Sequence, residues 1–159
     1  MKKLIIIRHS KSDWNNNTSD LLRPISQRGI KDAKIMSTVL NKLEFQIDYI
    51  FISIAMRTIE TSNVFFDISN SQIPYSYEEK IYDFSGHNVL DFILKINDKI
   101  NTAVLFTHNN SCNFLVNHFY YQSIHVPTSS ILVFDFNVNL WKDIKEANSF
   151  KYYFPKDYR

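Results

Sequence analysis

Two histidines and two arginines stand in polar clusters that follow apolar segments of the chain. Arg8 and His9 come directly after a run of four apolar residues. Arg57 and His108 follow two further apolar runs at a short distance. If the four groups converge, their positive charges repel one another unless an anion lies between them. Arginine donors fit phosphate oxygens, and histidine can donate or accept near neutral pH, so the clusters predict a phosphate site.

The apolar runs are typical of buried strands, and they alternate with segments of helical periodicity. Strands are predicted at 4–7, 48–53, 103–106 and 130–136, with a further short strand or irregular stretch around 75–82. Helices are predicted at 26–43, 58–66, 89–96 and 111–119. This alternation predicts an α/β fold in three layers, with a mainly parallel central sheet flanked by helices. Ligands bind such sheets beyond the carboxyl ends of the strands, where the polar clusters stand.

Composition restricts the class of protein. The chain has 159 residues, 45% of them hydrophobic, and a formal net charge of +2. The chain has no long run of like charges, so no nucleic-acid partner is expected. The one cysteine, Cys112, cannot form an internal disulfide or a cysteine zinc cluster. The first apolar run is too short for a signal or membrane segment, so we expect one cytoplasmic domain over residues 1–159, with no membrane partner.

Motifs along almost the whole chain carry a family resemblance. They are IRHSKSDW (7–14), RPI (23–25), RG (28–29), DA (32–33), SIAMRTIET (53–61), IY (81–82), THN (107–109), PT (127–128) and Trp141. In this order and at these separations they resemble the histidine phosphatase superfamily, also called phosphoglycerate-mutase-like. The chain is more narrowly similar to its short phosphohistidine phosphatase branch.

The resemblance implies roles for the clustered residues. His9 would be the nucleophile, with Arg8, Arg57 and His108 binding the phosphate and stabilising the transition state. Asn15 matches a position where relatives of the mutase type contact phosphate, but it is equally typical of a turn.

Two features of the site stay open in the sequence. Thr107 stands where the family usually has glycine, so it could crowd the pocket or add a hydroxyl contact to phosphate. The second open feature is the identity of the general acid. Glu79 is the first candidate, Glu78 and Asp83 are alternatives, and Glu78-Glu79-Lys80 could also be a solvated charge cluster.

The resemblance implies a phosphatase that works through a phosphohistidine intermediate without metal or cofactor. A short chain has little material for a lid, so we expect an open site that takes phosphohistidine on a partner protein. A phosphatase of small phosphoesters and an inactive phosphate-binding interaction module are the alternatives. A monomer or weak homo-oligomer is expected.

Overall fold

The computed structural model describes residues 1–15 and 17–159. The strands are β1 (Lys2–Arg8), β2 (Tyr49–Ser53), β3 (Tyr75–Glu78), β4 (Thr102–Thr107), β5 (Ile131–Phe136) and β6 (Ser149–Tyr153). The α-helices are α1 (Gln27–Lys42), α2 (Met56–Phe66), α3 (His87–Leu94) and α4 (Asn109–Tyr120). Short 3-10 helices occupy Ile68–Asn70, Glu79–Ile81, Trp141–Asp143 and Pro155–Asp157.

The strands form one sheet in the order β3-β2-β4-β1-β5-β6. β1, β2, β3 and β4 run parallel, whereas β5 and β6 are antiparallel to their neighbours. The mainly parallel sheet predicted from the sequence is therefore confirmed. β1 lies in the interior of the sheet between β4 and β5, which explains why its apolar run is continuous.

Helices cover both faces of the sheet, as the three-layer prediction requires. On one face, α1 and α2 pack through residues such as Met36 and Phe65. On the other face, α3 and α4 pack through residues such as Ile93 and Leu115. No helix in the described part of the chain has the length and apolar character needed to cross a membrane.

The first turn of α1 is packed against the loop that follows β1. The Ser26 hydroxyl accepts a hydrogen bond from the Gly29 N–H and caps the helix. The Ser26 N–H donates to the carbonyl oxygen of Lys11 over 2.8 Å. A Cβ added at Gly29 would lie 2.3 Å from that carbonyl oxygen, so only glycine lets the helix approach so closely.

Gly29→Ala is therefore expected to destabilise the fold, although alanine is the better helix former. Overpacking of this kind costs about 1–3 kcal/mol of unfolding free energy, more than the propensity gain of about 1 kcal/mol. Urea unfolding measures the difference. Lys31→Ala, at an exposed position of the same helix, is the control and should change stability by less than about 0.5 kcal/mol. A Gly29→Ala protein as stable as the control would contradict the close contact.

Candidate active site

The pairing of β1 with β4 brings the two predicted histidines together. Arg8 lies opposite Thr107 in the parallel register, so the residues after each strand are neighbours. The His9 N–H donates to the Thr107 carbonyl over 3.1 Å. The ring centroids of His9 and His108 are 5.5 Å apart. The carboxyl ends of the two strands thus form the centre of the site.

His9 is held in one orientation by its own loop. Its Nδ1 lies 2.8 Å from the Ser10 carbonyl oxygen, which can only accept a hydrogen bond. Nδ1 therefore carries the proton, and in the neutral ring Nε2 keeps its lone pair. The Ser129 N–H donates to the His9 carbonyl, and Thr61 Oγ1 accepts from the Ser10 N–H. The result is a buried imidazole with a defined nucleophilic nitrogen.

Burial and the neighbouring arginines keep this imidazole neutral. Desolvation, together with the charges of Arg8, Arg57 and Arg23, lowers the pKa of His9 to about 3. The protonated ring, which could not attack phosphorus, is therefore scarce at neutral pH.

His108 occupies the N-cap position of α4 and is completely buried. Its Nε2 lies 2.7 Å from the hydroxyl of Ser53, the last residue of β2. Burial and the nearby His9 and Arg57 lower the pKa of His108 to about 2. A bound phosphate dianion would oppose this shift, because a negative charge favours the protonated ring.

The two predicted arginines are anchored by backbone oxygens. Arg8 Nη1 donates to the Val126 carbonyl over 2.6 Å. Arg57, in the first turn of α2, donates from Nη1 to the Asp20 carbonyl over 2.6 Å and from Nη2 to the Asp20 carboxylate over 3.1 Å. Arg57 is 2% exposed, so its charge acts in a poorly solvated environment, where electrostatic interactions are strong.

These four side chains line one open pocket of about 300 Å³. The other residues that line it are Lys11, Ser12, Trp14, Asp20, Arg23, Phe84, Asn109 and Thr128. Trp14 is 74% exposed and Phe84 is 45% exposed, so aromatic rings stand at the mouth on the solvent side. The arrangement can bind a tetrahedral anion and present it to His9.

Three further residues that were predicted from the sequence to be functional lie outside the lining of this pocket. Glu79 is exposed in the 3-10 helix after β3, and its role as general acid stays a prediction. Asn15 is exposed in a turn, where its N–H donates to Asp13 Oδ1, which fits the alternative of a turn residue. The Thr107 hydroxyl donates to the Ile81 carbonyl over 3.1 Å, so it is engaged away from the pocket.

Sequence reasoning missed several lining residues as functional groups. Arg23 belonged to a quoted motif but received no role. Its Nη1 lies 3.0 Å from Asp20 Oδ1, and its guanidinium lies 3.7 Å from the centroid of the Trp14 ring. Asp20 and Phe84 stand in loops where no periodicity or cluster marks them. In the described residues, no group of three or more His, Cys, Asp or Glu side chains could hold a metal ion, and metal independence stays a prediction.

The buried histidines make stability depend on pH. An unfolded histidine titrates near ~6.5, whereas His9 and His108 in the fold bind protons only near the pKa values given above. At pH values between the lowered pKa of the folded state and ~6.5, the unfolded chain binds more protons than the folded chain. The free energy of unfolding should therefore fall as pH drops below ~6.5, by up to about 1.4 kcal/mol per pH unit for each histidine.

Urea unfolding from pH 7.5 to about 4.5 in phosphate-free buffer measures this slope. The His9→Gln/His108→Gln double variant is the reference, because the carboxylates that also titrate are unchanged in it. Its profile should be flatter over this range. An equal slope in both proteins would mean that the two histidines are not the source.

Part of the chain is similar in sequence to phosphoglycerate mutases. No family model matches it. A 2,3-bisphosphoglycerate-dependent phosphoglycerate mutase from Gloeothece citriformis is 38% identical over 65 residues, which are 39% of this chain and 28% of that protein. The chain thus matches less than a third of the length of this relative.

Solved structures match the chain almost from end to end. The protein histidine phosphatase SixA complexed with tungstate superposes with a TM-score of 0.79 at 16% identity, covering 99% of both chains. SixA from Agrobacterium tumefaciens gives 0.78 at 18% identity, over 94% of this chain and 97% of the other. The chain has the histidine phosphatase fold. A phosphoserine phosphatase from Entamoeba histolytica in complex with 3-phosphoglyceric acid shares this fold, with a TM-score of 0.69 at 14% identity over 95% and 97% of the two chains.

The predicted resemblance to the histidine phosphatase superfamily is therefore confirmed at the level of the fold. In this histidine phosphatase fold, the pocket lies beyond the carboxyl ends of β1 and β4, where open α/β sheets bind their ligands.

Proposed function

We propose that the protein is a phosphatase that uses His9 as a nucleophile and removes phosphate from phosphohistidine on a partner protein. The observation that carries the proposal is the His9 ring, which is neutral and held in one tautomer between two arginines and a second histidine. The tungstate complex of SixA, which has the same fold, supports an oxyanion site in this architecture.

The first step would transfer the phosphoryl group to His9. The Nε2 lone pair attacks phosphorus, the bond from phosphorus to the leaving group breaks, and the leaving nitrogen or oxygen takes that electron pair. Arg8, Arg57 and His108 would bind the phosphoryl oxygens as charge builds on them. The second step hydrolyses the phosphohistidine with water, which releases inorganic phosphate and restores neutral His9.

Two structural features support phosphohistidine on a protein over a small phosphoester. Trp14 and Phe84 are exposed at the mouth, so the pocket opens onto a surface that a protein could approach. Glu79 lies outside the pocket lining, and an imidazole leaving group needs less help from an acid than an alkoxide does.

The test compares kcat/KM for a phosphohistidine-bearing protein, phosphoglycerate and a sugar phosphate in one buffer with chelator. An aryl phosphate serves as the generic substrate that reports any phosphatase activity. We expect the phosphohistidine protein to be preferred. A clear preference for phosphoglycerate or the sugar phosphate would move the assignment to a small-molecule phosphatase, and no hydrolysis of any substrate would indicate an inactive binding module.

A further inference from the structure

Asp20 is the one carboxylate among the described residues that line the pocket. It lies in the loop between β1 and α1, which is tied to α2 where the Met56 N–H donates to the Leu21 carbonyl over 2.8 Å. Its carboxylate bridges Arg57 and Arg23 over 3.1 Å and 3.0 Å. The Asp20 side chain is 45% exposed, so it touches both the arginines of the pocket and the solvent.

Tyr82 completes the surroundings of this carboxylate. Its hydroxyl donates to Asp20 Oδ2 over 2.5 Å, the same oxygen that Arg57 contacts. The ring of Tyr82 lies 5.4 Å from that of His108, so Asp20 is linked to the wall of the pocket as well as to its arginines. The carboxylate is thus held in one place by donors from three different parts of the chain.

The other acidic residues considered for proton transfer do not line the pocket. Asp83 accepts hydrogen bonds from four backbone N–H groups around the start of α3 and serves to cap that helix. Glu78 accepts a hydrogen bond from the Ser76 hydroxyl. Glu79 is exposed in the 3-10 helix after β3 and does not line the pocket.

We propose that Asp20 is the general base that accepts a proton from the water that hydrolyses the phosphohistidine. This assignment rests on the proposed function. In the step, the water oxygen forms a bond to phosphorus while the bond from phosphorus to His9 Nε2 breaks. The electron pair of that bond returns to Nε2, and the proton lost by the water goes to Asp20 and from there to solvent.

The surroundings of Asp20 keep it ionised, as a group that accepts a proton must be. Burial alone would raise its pKa, but hydrogen bonds from Tyr82 and Arg57 and the charge of Arg57 bring it down to about 2, so the group is ionised at neutral pH. A phosphoryl group bound to Arg57 shares the donors of that arginine. When the intermediate is present, Arg57 therefore stabilises the negative charge of Asp20 less. The pKa of Asp20 then rises and the carboxylate becomes a stronger base.

The test separates formation of the phosphoenzyme from its breakdown in the Asp20→Asn protein. A radiolabelled phosphohistidine protein is mixed with enzyme and quenched in alkaline detergent, which preserves phosphohistidine. We expect about one phosphoryl group per Asp20→Asn chain to accumulate, with breakdown slowed about 100-fold or more. Asp20→Glu should restore part of the breakdown rate.

Asp91→Asn is the matched control. Asp91 also bridges two cations, Lys80 and Lys95, and its side chain is also 45% exposed, but it lies outside the pocket lining. This variant should form and hydrolyse the phosphoenzyme at the wild-type rates.

The solvent isotope effect on breakdown distinguishes a base from a residue that only positions Arg57. In the wild-type protein and in Asp20→Glu, breakdown should be slower in D2O than in H2O, because a proton leaves the attacking water in this step. Asp20→Asn should lose this isotope effect, whereas a positioning role would leave it in place.

Three results would overturn the assignment. Equal losses in formation and breakdown, with weaker binding of inorganic phosphate, would make Asp20 a positioning residue for Arg57. Unchanged breakdown would exclude it from proton transfer. A wild-type protein that forms no phosphoenzyme would overturn the proposed function itself. This result is seen with the wild-type protein alone, so it is distinct from a failure of the Asp20 assignment.

Discussion

His9→Ala is expected to abolish turnover of every phosphorylated substrate and the trapping of phosphate on the protein. The variant removes the buried, neutral imidazole whose Nε2 lone pair is fixed by the hydrogen bond from Nδ1 to the Ser10 carbonyl. Loss of the nucleophile in a covalent mechanism lowers kcat on the order of 10⁶-fold. Steady-state hydrolysis of an aryl phosphate and alkaline trapping of radiolabelled protein measure the two effects.

His118→Ala is the control for this experiment. His118 is exposed on α4 and does not line the pocket, so its loss should leave both readouts unchanged. Circular dichroism and urea unfolding would show that the His9→Ala chain is folded. An acid-labile phosphoenzyme at the wild-type level in folded His9→Ala would mean that another residue is the nucleophile.

Arg57→Lys should lower kcat/KM about 100-fold or more while the fold stays intact. Lysine keeps the positive charge but loses the planar set of donors, two of which reach the Asp20 carbonyl and carboxylate. The single ammonium group of lysine cannot donate to Asp20 and to the phosphoryl oxygens at the same time. Removal of one preorganised donor to transition-state charge typically costs 10²–10³ in kcat, which is about the size expected here.

Arg28→Lys tests whether any arginine replacement has this effect. Arg28 is exposed on α1 and lies outside the pocket lining, so kcat/KM should stay within about twofold of the wild type. Near-normal kinetics in Arg57→Lys would contradict the role assigned to its guanidinium.

The centre of the fold could be predicted from the sequence because its strands are buried on both faces. The runs at 4–7 and 103–106 are continuous and apolar, and the structure places them inside β1 and β4. Polar residues that follow such strands in a parallel sheet must meet at one edge. His9 and His108 could therefore be expected to lie together before any coordinates were known.

The edges of the fold and of the site were less predictable. β6 was missed because its sequence SFKYY is partly exposed and has no continuous apolar run. Asp20 carries no signal of its own, since its place in the pocket depends on how the loop before α1 folds back onto α2. The choice among Glu78, Glu79 and Asp83 depends on the direction of the backbone after β3, which no short pattern specifies.

The position of β1 in the sheet has a consequence for biosynthesis. The strand that carries Arg8 is made before its two neighbours, β4 and β5, which follow about 100 residues or more later in the chain. Such pairing between distant segments is slow and exposes apolar strands before they find partners. β1 therefore lacks one of its two partners until β5, ending at Phe136, has emerged from the ribosome. A nascent chain halted before β5 should leave that edge of β1 open to chaperones.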